Sequence, residues 1–297
     1  MGKAVHREIK KRNFKHRLVS RSINSDLGSI VKANLLNSDD AHNAIEGSTY
    51  VYLCVGLPYH HKIWENQWEI IIKNVINACI KHEAKLIFLD NIYMYSPNLP
   101  LHFDEQTAQQ PNSKKGRVRK IVADYFLQAV VAQGLIGLIA RSADFYGNSA
   151  VNSIIYKSFL ERILAGKNPQ LLSSGDVAHT FAHVDDNARA MVSLALCDEC
   201  YGQVWHLPVG NSITMNELLG IVNNLQNTNF KNEIIPKLLK KILPKFRPML
   251  REALEMQYQF EQPYVISFDK FKNRFPNFEA TSYEKGIKEM INGLIDT

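Results

Sequence analysis

The sequence contains no uninterrupted apolar run of about 18 residues, the length a membrane-spanning helix needs. Its opening residues, MGKAVHREIKKR, lack the apolar core of a secretory signal, which makes the cytoplasm the expected compartment. Cysteine is scarce, with four residues (Cys54, Cys79, Cys197 and Cys200) in a chain of 297, and a chain this long can bury a core without a disulfide framework. Cys197 and Cys200 form a CxxC, but no second CxxC or suitably spaced histidine pair accompanies it, so packing is preferred to zinc or redox use. The ten histidines show no HxxH or HExxH spacing, His60 and His61 are merely adjacent, and no metal is assigned. A GxSxG nucleophile elbow is also missing, which leaves hydrolase chemistry without support.

What is present is an ordinary globular composition, 45% apolar and 22% charged, with a length that suggests about two domains. The skewed quantity is the net charge of +6. It is clustered: residues 1–21 hold eight Lys/Arg against one acid, residues 112–120 five against none, and residues 231–251 seven against one. Such patches suit a phosphate-bearing ligand, an anionic surface or solvated helix faces.

Strand-length apolar runs alternate with helical stretches through the first half. HRLVS (16–20), SIVKA (29–33), TYVYLCV (49–55), KLIFLD (85–90) and LIGLIAR (135–141) read as strands, several of them continuous runs of the kind buried on both faces. Between them, Trp64, Trp68, Ile71, Ile72, Val75, Ile76 and Cys79 recur at three- and four-residue steps and predict a helix over 64–80. A second helix is expected at about 117–133. The alternation predicts an α/β fold, a doubly wound parallel sheet with helices on both faces. After Gly147 the pattern changes to a smaller mixed α/β lobe, with a helix over 151–165 and capping boxes at Thr214–Glu217 and Thr281–Glu284. Prolines 236, 244 and 248 break the basic stretch 231–255 into short helices. The expected division is 1–148 and 149–297, with 179–191 returning to the first domain.

A doubly wound nucleotide-binding sheet normally begins with a strand and a Gly-rich turn that cradles pyrophosphate. Here Gly2 leads directly into a helical segment, with Val5 and Ile9 four residues apart. Six segments then follow in a telling order: LVSRS (18–22), KANLLNSDD (32–40), YVYLCVGLP (50–58), IFLDNIYMYS (87–96), RSADFYG (141–147) and HTFAHVDDNARAM (179–191). Together they resemble the NAD-dependent epimerase/dehydratase family, the extended branch of the short-chain dehydrogenase/reductases, from Gly2 to about Ile291. The resemblance implies a Rossmann-like domain truncated at its N-terminus, with the first strand and most of the Gly-rich turn expected upstream of Met1.

The same resemblance implies cofactor contacts at Gly2, the last glycine of the turn; at Arg21 and Ser22 after the second strand; at Asn34 and Leu35 near adenine; at Val55, Gly56 and Leu57 after the fourth strand; and at Lys120 and Ala143. Arg21 between two serines suits a 2′-phosphate, which favours NADP over NAD. The family's reaction centre is a Tyr-xxx-Lys pair in which the ammonium lowers the phenol pKa. With Lys120 and Asp124 in register, Gly116 stands where that Tyr belongs and Asn91 where a Ser/Thr polarises the substrate oxygen. Tyr93, at the carboxyl end of a strand, is the candidate substitute acid/base, so the catalytic candidates are Lys120, Tyr93 and Asn91.

Two functions follow: an enzyme acting on a small hydroxyl- or carbonyl-bearing molecule such as a nucleotide sugar, or a catalytically silent NAD(P)-binding redox sensor, which the Gly116 and Asn91 departures favour. The cluster Ser113, Lys114, Lys115, Arg117 and Arg119 suits an anionic small-molecule substrate. Nucleic acid is disfavoured for want of a recognition module, and a membrane surface because prolines interrupt 234–254. A homodimer is compatible with the sequence.

Overall fold

The computed structural model describes residues 1–22, 30–95, 97–148, 150–151, 153–245 and 248–295. In chain order the first half contains α1 (Gly2–Lys11), β1 (Leu18–Ser20), β2 (Ile30–Lys32), α2 (Ser38–Ile45), β3 (Tyr50–Leu53), α3 (His61–Lys81), β4 (Lys85–Asp90), α4 (Lys114–Ala132), β5 (Gly137–Arg141) and β6 (Asp144–Tyr146). The second half contains α5 (Glu161–Leu164), β7 (Gln170–Leu171), β8 (Phe181–His183), α6 (Val184–Ala195), β9 (Val204–His206), α7 (Met215–Gln226), β10 (Glu233–Ile234), α8 (Lys237–Ile242), α9 (Pro248–Leu254), α10 (Asp269–Arg274) and α11 (Tyr283–Ile295).

The central sheet is parallel, in the order β3-β4-β5-β9, and three two-stranded parallel sheets accompany it: β1-β2, β6-β8 and β7-β10. Parallel strands buried on both faces need apolar residues at successive positions, and β4 shows why. Leu86 and Phe88 point to one face, where they join Trp68, Ile72, Val122 and Phe126 of α3 and α4. Ile87 points to the other, against Val5 of α1 and Met191 and Leu194 of α6. The period-two alternation of side chains in a strand therefore feeds two cores at once. Burying one such side chain fully contributes roughly 1.5–3 kcal/mol. The register Ile87↔Leu138 and Phe88↔Ile139 keeps like faces together across β4 and β5.

Local sequence explains several helix starts. Asn37 Oδ1 accepts from Asp40 N at 3.0 Å to cap α2, and Ser113 Oγ accepts from Gly116 N at 3.0 Å to cap α4. The Thr214–Glu217 capping box forms as expected. The second expected box does not: Thr281 Oγ1 donates instead to Asp186 Oδ1 at 2.8 Å, and Ser282 Oγ accepts from Lys285 N at 3.3 Å. The buried Asp186 carboxylate outcompetes Thr281's own helix because it is the stronger, charged acceptor. The helix expected over 151–165 is interrupted, with a wide-turn π segment over Ile155–Leu160 preceding α5. Cys197 and Cys200, expected as structural or incidental cysteines in a chain that needs no disulfide framework, form a disulfide across the short turn after α6, with Cα atoms 5.4 Å apart. No helix among the described residues is long and apolar enough to cross a membrane.

The C-terminal segments have a separate core of Phe159, Phe181, Leu218, Val222, Tyr283 and Ile287. A further cluster, Ile92, Met94, Tyr95, Phe103, Ala182 and Tyr264, joins the segment after β4 to the middle of β8.

Candidate functional site

Open α/β sheets bind their ligands beyond the carboxyl ends of the strands, so the ends of β3, β4 and β5 and the N-terminus of α4 define the candidate site. Asp90 closes β4. Its buried carboxylate lies between Arg119, whose Nε donates at 2.7 Å, and Arg141, whose Nε approaches at 3.5 Å. Arg119 lies 4.2 Å from the Trp68 ring centroid. Arg141 Nη1 donates to Tyr95 Oη at 2.9 Å, and the Tyr95 hydroxyl donates onward to His206 Nε2 at 2.6 Å. His206 Nδ1 faces the Ser267 carbonyl at 2.8 Å, which fixes that tautomer; burial holds the ring's pKa down at about 3, so it stays neutral. These groups knit the strand ends together.

The adjoining α4 N-terminus is equally self-contained. Lys115 is fully buried, and its Nζ donates to Glu252 Oε2 at 2.7 Å, to the Glu252 carbonyl at 3.1 Å and to Glu255 Oε2. Glu255 also accepts from the backbone N–H groups of Lys114 and Lys115, while Glu252 accepts from His61 N at 3.0 Å and pairs with His61 Nδ1 at 2.8 Å. Two carboxylates, one from α9 and one just after it, thus cap the N-termini of α3 and α4, where the helix dipole favours negative charge. Burial alone would raise the Glu252 pKa, but the hydrogen bonds from Lys115 and His61 outweigh it and hold the carboxyl down at about 2.

Gly116 sits one residue further along this packed turn. A Cβ there would run into the Tyr93 carbonyl oxygen and lie 2.7 Å from Ser113 Oγ and 2.8 Å from Pro111 Cβ. A side chain could enter only if these neighbours shifted. Four residues on, Lys120 donates to Asp124 Oδ2 at 2.7 Å in a half-exposed pair along the helix surface. Asn91 Oδ1 accepts from Tyr93 N at 3.1 Å, a local turn contact. Tyr93 stacks on Trp64 with ring centroids 6.2 Å apart. Burial first, and then its Tyr59 neighbour, push its phenol pKa well above the usual value, opposite to what a proton acceptor at neutral pH needs.

The residues assigned to the cofactor by resemblance lie in varied surroundings. Arg21 and Ser22 are exposed at the end of β1, next to residues 23–29, which lie outside the described residues. Asn34 N donates to Asp40 Oδ2 at 2.8 Å, and the Leu35 carbonyl accepts from Asn74 Nδ2 at 2.9 Å. Val55 and Leu57 pack against the α3 face, whereas Gly56 is exposed with open space where a Cβ would stand. Ala143 is buried beneath the strand ends. Gly2 lines a cavity of about 150 Å³ with Met1, Lys3, Ala4, Asn148 and Val184.

The structure thus brings Asn91, Tyr93 and Gly116 together and leaves Lys120 turned to solvent. It also corrects the basic cluster of 112–120. Lys115 and Arg119 are buried on internal carboxylates, whereas Lys114 and Arg117 stay exposed and Lys120 partly so, with Arg117 donating to the Asn112 carbonyl at 2.9 Å; the cationic surface is smaller than the sequence suggests. Asp90, which the sequence offers beside Asn91 as a hydrogen-bond partner for a substrate oxygen, is instead held by Arg119 and Arg141. Sequence reasoning missed Arg141, Glu252 and Glu255; Arg141 left one signal, a charge closing an otherwise apolar strand run, and the glutamates left none, because their partners lie more than a hundred residues away.

A family profile described as NAD dependent epimerase/dehydratase matches residues 1–200. A Sinorhizobium fredii protein, described as uncharacterized protein y4nL, is 24% identical over 144 residues, which is 48% of this chain and 39% of that protein. The chain therefore spans about two-fifths of that relative's length. Among solved structures, UDP-N-acetylglucosamine 4-epimerase from Methanobrevibacter ruminantium, in complex with UDP-N-acetylmuramic acid, superposes with a TM-score of 0.80 at 15% identity, covering 100% of this chain and 95% of that one. UDP-glucuronic acid 4-epimerase from Bacillus cereus, in complex with NAD, gives a TM-score of 0.79 at 12% identity, covering 99% and 95%. At such identities these likenesses establish a shared Rossmann-like fold.

Proposed function

The chain belongs to the NAD-dependent epimerase/dehydratase family, and from that premise we propose that it is a dinucleotide-binding member that does not perform the family's Tyr–Lys proton transfer. The observation that carries this reading is Gly116: the position to which the resemblance assigns the acid/base holds no side chain, and one could enter only if the Tyr93 carbonyl and its neighbours shifted. The reaction end of a nicotinamide cofactor does not fit these residues, since Lys120 pairs with Asp124 and the Tyr93 phenol is driven away from a useful pKa. At the other end, exposed Arg21 and Ser22 and the open backbone at Gly56 suit an adenosine moiety, with the guanidinium favouring NADP over NAD.

The competing reading is an enzyme acting on a small hydroxyl- or carbonyl-bearing molecule, of the nucleotide-sugar class that the two epimerases named above act on. It needs a proton carrier other than residue 116. The test is to titrate the full-length protein with NADPH and NADH by fluorescence, then to challenge the loaded protein with nucleotide sugars, alcohols and ketones. Binding without conversion supports the proposal, and catalytic conversion contradicts it.

A further inference from the structure

We propose that the face formed by Ile234 and α8 docks on an anionic lipid surface. Helix α8 buries none of its residues. Leu238, Leu239 and Ile242 fall on one helical stripe and are 68%, 42% and 43% exposed; Ile234, just before the helix, is 55% exposed. Single exposed leucines are common, but a stripe of adjoining apolar side chains each left at least two-fifths exposed marks an interaction surface.

The charge around the stripe identifies what covers it. Residues 234–251 contain six Lys/Arg and no Asp or Glu. Lys237, Lys241 and Lys245 are exposed alongside the leucines, while Lys240 Nζ donates to the Leu172 carbonyl at 2.7 Å and ties the helix to the body of the protein. Pro236 caps the helix and Pro244 follows its end, so it is far too short to span a bilayer. Breaking the basic stretch in this way does not bury its apolar side; it leaves a short amphipathic helix held at the surface. Leucines that project outward insert readily into the soft boundary between headgroups and acyl chains, and flanking ammonium groups meet anionic headgroups there. A rigid protein partner would need a matching groove, and a nucleic acid would use the lysines while leaving the leucines in water.

The test is sedimentation of the full-length protein with vesicles of phosphatidylcholine alone and of phosphatidylcholine mixed with phosphatidylglycerol, at low and high salt. Binding is expected to the mixed vesicles only, and to fall with salt. Lys241→Gln and Lys245→Gln should each weaken it about fivefold. The double change Leu238→Gln with Leu239→Gln should weaken it about tenfold or more. Because all four side chains lie at the surface, an unchanged thermal unfolding curve would show that the variants still fold. No sedimentation with the mixed vesicles would overturn the proposal. So would binding insensitive to the leucine change, or a concentration-dependent self-association that the leucine change abolishes, which would assign the face to a second copy of the chain.

Discussion

The two halves of the candidate site are built on opposite plans. Around β1 and the end of β3, Arg21, Ser22 and Gly56 are exposed, and the space over Gly56 is open. Around β4 and the start of α4, the polar groups are turned inward: Asp90 holds two arginines, and Lys115 holds Glu252 and Glu255. On the proposed reading, the half suited to adenosine keeps its functional groups available, whereas the half to which the family resemblance assigns proton transfer is filled by structural packing. A fold can thus keep the scaffold of a cofactor site while its reactive end is rebuilt as packing, and a family assignment alone does not tell the two apart.

The inward half should fail hardest when its charges are unbalanced. Lys115→Ala leaves two carboxylates without their ammonium, and a loss of about 3–5 kcal/mol is expected in urea unfolding; a near-neutral result would mean that the network is exchangeable surface. Gly116→Ala should cost about 1–3 kcal/mol by overpacking against Tyr93, Ser113 and Pro111. Gly116→Tyr should cost more and gain no activity, so a stable, active Gly116→Tyr protein would show that the site is open after all.

The same half should be sensitive to acid. The Glu252 carboxyl is held at about 2, below its ordinary 4.5. Its contribution to stability is therefore fully present above pH 4.5 and lost as pH falls from there towards 2. Glu252→Gln should flatten that part of a stability-against-pH curve, and an unchanged slope would remove Glu252 as its source.

The open half should respond in binding and leave folding untouched. Arg21→Ala should weaken NADPH about tenfold, as expected for losing a charged hydrogen bond to phosphate, and leave NADH nearly unaffected. The smallest effect belongs to Lys120→Ala, expected within about 0.5 kcal/mol in stability and without change in dinucleotide affinity, because its partner is Asp124 in solvent. A clear loss of affinity would place Lys120 in the cofactor site and move it from one half of the comparison to the other.

Much of the scaffold was legible because burial on both faces leaves a strong pattern. KLIFLD over 85–90 became β4 with both ends as expected, and the stripe from Trp64 to Cys79 became the core of α3 with a few residues added at its start. Short strands were read too long: TYVYLCV shrank to Tyr50–Leu53, since apolar character continues past the last ladder hydrogen bond. A glycine at 116, where the family resemblance implies a Tyr, is visible in the sequence, but the crowding there is not, because the obstructing atoms belong to Tyr93, Ser113 and Pro111. The Lys115 network was invisible for a similar reason. A lysine among lysines reads as solvated, and only the fold brings Glu252 and Glu255 to it across more than a hundred residues.

Binding and turnover are separated most sharply by nuclear magnetic resonance of nucleotide sugars incubated with the full-length protein loaded with dinucleotide, at a protein concentration matching that of the sugar. The account predicts a bound dinucleotide and an unaltered sugar after prolonged incubation. Epimerised, dehydrated or oxidised sugar under those conditions would contradict it.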